Sequence, residues 1–446
     1  MQLRKKRRSG RAAAGQIGAS LAVATCALLG TTAPEKASAQ VLEDWEFDTA
    51  VLLYSEADGR ISDLSFNGLA RKELREDSFL NLRLAVDALT GASPSGAVPG
   101  DSVQTITRPS GKDDYQVAPG DQPLDDSFKD SRIALGAGWQ QPLGRLTLLD
   151  LGVSLSDEYD YTHLGINGRI ARDFNNRNTT LSAGFALASD SINPVGGSPV
   201  PLSLMLPASD DDDLDMANKL GDQSKDVVDV LFGITQIVNR QTVIQFNYSL
   251  SQANGYLTDP YKLLSVVDPI TGNLVSGTPG TGINLYRYES RPDSRQKQSL
   301  FALIKRDFGG NVLDASYRYM TDDWEIDSQT VDLRYRWEFG NEQFLQPHVR
   351  FYSQNDANFY HTVLFDGQPL PQYATADYRL GRFDAVTIGL KYGKNTGFGE
   401  WAARLELYRQ SGEPSPNASV GALASHDLYP DLTALIAQFS VKFGRR

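Results

Sequence analysis

Thr330-Val331-Asp332-Leu333-Arg334-Tyr335-Arg336-Trp337-Glu338-Phe339 alternates apolar and polar residues without a break. A β-strand sends successive side chains to opposite faces, so this stretch has one apolar and one charged face. Leu80, Leu82, Leu84 and Val86, set against Asn81, Arg83 and Asp87, repeat the pattern. In a soluble sandwich the apolar face points inward. In a membrane barrel it points at lipid and the polar face lines the lumen.

Cutting the chain at its Gly, Pro and Asn clusters gives sixteen such segments, at about 44–54, 62–72, 79–88, 131–140, 145–156, 162–173, 178–188, 225–238, 241–252, 297–307, 312–320, 328–339, 344–353, 382–393, 400–409 and 432–443. Alternate junctions are short, at 73–77, 141–144, 175–177, 239–240, 309–311, 340–343 and 394–399. Many of the others are long, at 89–130, 189–224, 253–296, 354–381 and 410–431. A sandwich has no reason to gather its long loops at one end, whereas short periplasmic turns and long external loops define an outer-membrane barrel. The expected fold is all-β, a transmembrane antiparallel barrel of about 16 strands. Trp45, Tyr54, Trp139, Tyr159, Tyr161, Trp324, Trp337, Phe339, Tyr392, Trp401 and Phe443 fall near strand ends, where interfacial girdles would lie. The last strand, with Leu435, Ala437, Phe439, Val441 and Phe443 on one face, ends almost at the C-terminus, as closing strands do.

The N-terminus fits export. Arg4, Lys5, Lys6, Arg7, Arg8 and Arg11 precede a small-residue apolar run, and Ala37-Ser38-Ala39 resembles a cleavage site before Gln40. We therefore expect a signal peptide at 1–39 and one barrel domain at 40–446. The only cysteine, Cys26, would leave with the signal, so no disulfide or thiolate chemistry is expected. Removal of the signal leaves 36 basic and 54 acidic side chains, a formal net charge of −18, which argues against nucleic acid as a partner. The expected location is the bacterial outer membrane. Expected partners are its lipid and lipopolysaccharide, the barrel-assembly machinery and a periplasmic protein.

Several strings resemble a family of bacterial outer-membrane barrels known as domain of unknown function 3570. They are Asp173-Phe174-Asn175 with Asn178-Thr179-Thr180-Leu181-Ser182, Gly255-Tyr256-Leu257-Thr258-Asp259-Pro260-Tyr261-Lys262, Arg291-Pro292-Asp293-Ser294-Arg295, Tyr317-Arg318-Tyr319-Met320-Thr321-Asp322-Asp323-Trp324 and Ala376-Asp377-Tyr378-Arg379-Leu380. The resemblance implies location and architecture but no activity. A Gly would be expected after Asp-Asp-Trp and a His before Thr330, where Glu325 and Gln329 stand. These strings place Asp259, Arg291, Asp293, Arg295, Asp322, Asp323 and Arg379 at the external mouth. They form either a substrate or ion site, or a salt-bridge network bracing the loops, and the expectation is the brace.

Strand parity puts Arg83, Arg132, Arg318, Arg334, Arg336, Arg350, Lys391 and Arg404 in the lumen, against Asp87, Asp314, Asp332, Glu338 and Glu406. Such a wall favours anions if the bases stand free, or is merely braced if they pair across strands. No enzyme activity, catalytic residue, cofactor or metal site is expected. Of His163, His348, His361 and His426, only His163, after Ser156, Glu158 and Asp160, suggests a surface hydrolase, and that reading requires a serine on the imidazole with an acid behind it. The run Asp210-Asp211-Asp212-Asp213-Leu214-Asp215 lacks the Gly and distal Glu of a calcium loop and reads as a solvated acidic loop. The expected function is a channel or transporter-like barrel for a small solute, with a non-conducting scaffold for an export or electron-transfer assembly as the alternative.

Overall fold

The computed structural model describes residues 44–209, 218–277, 284–415 and 418–444. The N-terminal segment, with the expected signal sequence and Cys26, and the acidic run from Asp210 lie outside the described residues. Sixteen strands close into one antiparallel barrel. They are β1 (Trp45–Glu56), β2 (Ile61–Arg75), β3 (Ser78–Pro94), β6 (Leu124–Pro142), β7 (Thr147–Asp157), β8 (Tyr161–Phe174), β9 (Thr179–Ile192), β12 (Gln223–Asn239), β13 (Thr242–Gly255), β16 (Ser294–Asp307), β17 (Val312–Asp322), β18 (Asp327–Phe339), β19 (Gln343–Gln354), β21 (Arg382–Asn395), β22 (Gly399–Glu413) and β23 (Leu432–Gly444). The remaining strands belong to loops: β4 (Gln104–Thr107), β5 (Asp114–Val117), β10 (Ser198–Pro199), β11 (Lys219–Leu220), β14 (Leu263–Val267), β15 (Tyr286–Tyr288) and β20 (Val363–Phe365).

Each barrel strand pairs with its chain neighbour, and β1 closes on β23 with Val51 opposite Phe439. Every segment expected from alternation is a barrel strand. The strands run longer than expected at the long-loop end: β3 continues to Pro94 and β6 begins at Leu124, because the ladder there persists where alternation fades.

The exterior is apolar along the strands. Leu300, Ile388 and Phe232 expose 57%, 59% and 55% of their surface, which water would penalise and lipid hydrocarbon would cover. Aromatics gather outside at the short-turn end. Trp45, Phe47, Phe443 and Phe398 stack in series, and Trp337, Phe339, Tyr392, Trp401 and Phe439 form a second chain of ring contacts. Three expected girdle residues lie elsewhere. Tyr54 and Tyr161 point into the barrel, bonding Glu56 and Asp190, and Trp324 is buried among loop residues, since period-two parity outweighs aromatic preference for an interface.

The buried apolar cores lie in the loops. The connections 95–123, 193–222, 256–293, 355–381 and 414–431 meet over the barrel's mouth. A three-stranded sheet in the order β15-β14-β20 joins two of them. Ala97, Ile106, Val117, Met205, Leu263, Tyr286 and Tyr288 pack into one cluster drawn from three connections. Val98, Val267, Val363 and Leu423 pack into another drawn from four. Tyr286 donates to the fully buried Gln104, and Val98 N–H donates to Ser265. The long connections thus form a packed lid.

Candidate functional site

The mouth residues separate into two groups. In the lid, Asp259, Glu289 and Asp377 face Lys262, Arg291 and Arg379, three acids against three bases. Arg291 Nη2 lies 2.8 Å from Asp377 Oδ2 and 3.1 Å from Glu289 Oε2. Arg379 Nη2 reaches Asp377 at 2.6 Å and Asp259 at 2.7 Å. Thr375 donates to Glu289, Arg291 N–H donates to Thr258, and Lys262 Nζ donates to the Pro94 carbonyl. Burial raises the Glu289 carboxyl against the pull of Arg291. Burial would raise Asp377 too, but Arg379, Arg291 and Lys262 overcome it and hold that carboxyl well below its usual range. Such a cluster stands because its charges cancel, with Arg291 Nε held 2.6 Å from Glu289 Oε1 and Nη1 left without a hydrogen-bond partner. Glu289 and Thr375 lay outside the quoted strings; only the fold brings them in.

The second group is at the ends of β16 and β17. Arg295 Nε and Nη2 both donate to Asp322 Oδ2, at 2.8 and 2.5 Å, and the guanidinium lies 4.2 Å from the Trp324 ring centre. Asp322 Oδ1 accepts the Trp324 and Ile326 N–H groups, fixing the turn. Asp323 accepts Gln296 N–H, and the Asp293 carbonyl accepts Gly255 N–H. Among the described residues neither Asp293 nor Asp323 makes an ion pair, so both serve turn geometry. Gly255 is required where it stands: its φ is +116°, and a Cβ there would lie 2.3 Å from the Ser224 carbonyl oxygen.

The eight basic residues assigned to the lumen divide evenly. Arg132 pairs with Asp87 at 2.5 Å, Arg334 with Asp332 at 3.1 Å, Arg336 with Glu338 at 3.1 Å and Arg404 with Glu406 at 3.8 Å. Arg83, Arg318, Arg350 and Lys391 make no ion pair among the described residues. Arg318 lies over the Phe301 ring and Lys391 over Phe344, at 5.6 and 5.7 Å. His348 bridges Asp332 and Glu406, at 3.0 and 2.8 Å, within the wall.

The other histidines differ in setting. His361 and His426 belong to the lid, where His426 contacts Asp101 at 3.2 Å. His163 faces the lumen, with Ser154 Oγ 3.1 Å from Nε2 and Asp190 Oδ1 2.7 Å from Nδ1. The neighbours expected from sequence are not its partners. Ser156 sits opposite it in the ladder without bonding the ring, Glu158 is 4.0 Å from Arg132, and Asp160 accepts from Tyr261 at 2.5 Å. Among the described residues no group of His, Cys, Asp and Glu gathers as metal ligands.

The family described as "Protein of unknown function (DUF3570)" matches residues 18–443. The chain belongs to this family. DUF3570 carries no activity in its description, so function has to come from the side chains. No curated protein matches the sequence significantly. Among solved structures, a bacterial polysaccharide outer membrane secretin is similar at 10% identity and a TM-score of 0.43, over 91% of this chain and 100% of its own. A ferric enterobactin receptor mutant from Pseudomonas aeruginosa is similar at 10% identity and a TM-score of 0.42, over 91% of this chain and 60% of its own. The siderophore receptor PirA from Acinetobacter baumannii is similar at 9% identity and a TM-score of 0.38, over 89% and 58%. The chain therefore spans little more than half the length of these receptors, and none of these likenesses bears on function.

Proposed function

We propose that this member of DUF3570 is an outer-membrane barrel that passes a small anionic solute and is closed at rest by its lid. The observation that carries the proposal is the Arg291 to Asp377 contact, which ties the loop after β13 to the loop after β19 across the mouth. Residues 1–39 serve as the export signal, the apolar exterior meets lipid, and the lid faces outward with lipopolysaccharide around it. Arg83, Arg318, Arg350 and Lys391, which make no ion pair among the described residues, give the lumen its preference for anions, since a basic wall lowers the barrier to them. Paired Arg132, Arg334, Arg336 and Arg404 brace the wall.

A second reading has one observation in its favour. The lid's clusters draw on several connections at once, as a permanent plug would, and a plugged barrel is a scaffold for a periplasmic partner. Single-channel recording in planar bilayers separates the two. The gated reading expects a mostly silent wild type and frequent anion-selective openings in Arg291→Gln, with selectivity lost in Arg350→Glu. Silence from Arg291→Gln at every voltage, with the barrel intact, overturns it in favour of the scaffold.

A further inference from the structure

Three adjacent strands bring a serine, a histidine and an aspartate into line on the lumen wall, on β7, β8 and β9. Asp190 is 1% exposed, and its two oxygens are divided. Oδ2 takes the Tyr161 hydroxyl and lies 3.1 Å from Lys225 Nζ, while Oδ1 faces His163 Nδ1. An ionised carboxylate only accepts, so Nδ1 carries the proton and Nε2 is left as the acceptor for the Ser154 hydroxyl. This is the tautomer a general base needs. We propose that Ser154, His163 and Asp190 are a hydrolytic triad, acting on an ester that carries an anionic group.

The surrounding wall fits that use. A Cβ on Gly165 would lie 2.6 Å from Ser154 Oγ and 2.9 Å from His163 Nε2, so the serine and imidazole meet only because residue 165 has no side chain. Arg83, Gly136, Ser154 and Gly165 stand in one row across four strands. The Arg83 side chain leans over the glycine, its Cδ 3.8 Å from where a Gly136 Cβ would be, and it makes no ion pair among the described residues. With strands about 4.8 Å apart, the Arg83 and Ser154 backbones are about 10 Å from each other with a bare glycine between. A substrate lying over Gly136 would put its anion on Arg83 and its carbonyl on Ser154. Backbone amides of the strands are spent on the ladder, so a side chain must meet the developing oxyanion. The Asn167 amide lies over Gly152, Oδ1 2.6 Å and Nδ2 3.2 Å from the place of a Cβ there, one lumen-facing row from Ser154.

The chemistry balances with water as the only co-reactant. Ser154 Oγ attacks the ester carbonyl as its proton passes to His163 Nε2. The ester C–O bond breaks, the departing alkoxide takes that proton, and the acyl group stays on Oγ. Water then gives a proton to Nε2 and attacks the acyl carbon, the C–Oγ bond breaks, and the serine recovers its proton as the acid leaves. Ser154 and His163 are the catalytic residues; Asp190 is a positioning residue that acts through the imidazole. The proposal goes beyond solute passage and adds a reaction to it.

The test uses the full-length protein in detergent micelles, with heat-modifiable gel migration as the check that each variant forms the barrel. A fluorophosphonate probe is expected to label the folded wild type at Ser154, located by peptide mass, and to leave Ser154→Ala unlabelled. His163→Ala is expected to slow labelling by roughly 100-fold or more. Asp190→Asn leaves no carboxylate to hold the Nδ1 proton and is expected to lower kcat for the nitrophenyl esters by roughly 1,000-fold with KM little changed, a split that loss of a mere wall contact would not give. Arg83→Gln is expected to slow hydrolysis of p-nitrophenyl hemisuccinate about 10-fold and to leave the neutral butyrate ester unchanged. An unlabelled folded wild type, or equal labelling of Ser154→Ala, overturns the triad and leaves a hydrogen-bonded brace. Equal effects of Arg83→Gln on both esters overturn the anionic substrate class.

Discussion

Arg291 and Asp377 meet at 2.8 Å, with both side chains almost wholly shielded from water. Removing one partner leaves the other charge buried without compensation, at a cost of about 3–5 kcal/mol. Arg291→Ala should therefore release the lid while the ladder of the barrel stays formed. Limited trypsin digestion checks this. Cuts at Lys262 and Arg287 should be slow in the wild type and fast in the variant, with heat-modifiable migration retained. Equal cleavage would show that the apolar clusters hold the lid unaided.

The turn between β7 and β8 should report pH. Burial, reinforced by Asp130, pushes the Glu158 carboxyl up to about 8 from its ordinary 4.5. An acid whose folded value is raised contributes its stability at low pH and loses it as pH rises through the folded value. Between about pH 4.5 and 8 the wild type should thus weaken. Glu158→Gln, which carries no charge to bury, should be about as stable as the wild type at pH 4 and more stable above pH 8 by on the order of 2–4 kcal/mol. Urea titration of the refolded protein at pH 4, 6 and 9 checks the trend, and parallel curves at all three would refute it.

Arg295→Lys should weaken the tie between β16 and β17 although charge is kept. The guanidinium makes two bonds to Asp322 and stacks on Trp324 at 4.2 Å, and an ammonium cannot do both. A loss of about 1–3 kcal/mol is expected, read together with the Trp324 fluorescence maximum, which should move to longer wavelength as the ring loses its cover.

Gly393→Ala should strain the lumen wall. A Cβ there would come within 2.3 Å of Phe344, whose ring is held 3.5 Å below the Arg336 guanidinium. Overpacking of this kind costs about 1–3 kcal/mol. Replacing Phe344 with Leu in the same chain should recover part of it, and no recovery would place the strain elsewhere.

The strands were legible because alternation is written residue by residue. Leu333, Tyr335 and Trp337 point outward and Asp332, Arg334 and Arg336 inward in the order the sequence prints them. The lid was not legible, because its residues are buried on all sides and follow no period: Leu263, Leu264, Ser265, Val266 and Val267 are all buried in succession. The partners of His163 were hidden for a different reason. Ser154 and Asp190 lie on the flanking strands, so naming them requires the register of two hairpins and not proximity in the chain. The signal was available in part, since all three residues have lumen parity and the β7–β8 turn is short. Ser156 is nearer in sequence and sits directly opposite His163 in the ladder, yet the ring bonds Ser154.

The lid sheet holds one pair of parallel strands, β14 and β20, with Ser265 beside Val363. Each comes from a different connection, and β16 through β19 are laid down between them. That sheet joins chain from either side of those four strands, and the segment 414–431, which links β22 to β23, seats beside it with Ala422 N–H donating to the Thr271 carbonyl. Protease resistance at the mouth is therefore a marker of late assembly: it should appear only in molecules whose strands from β13 to β22 already stand side by side.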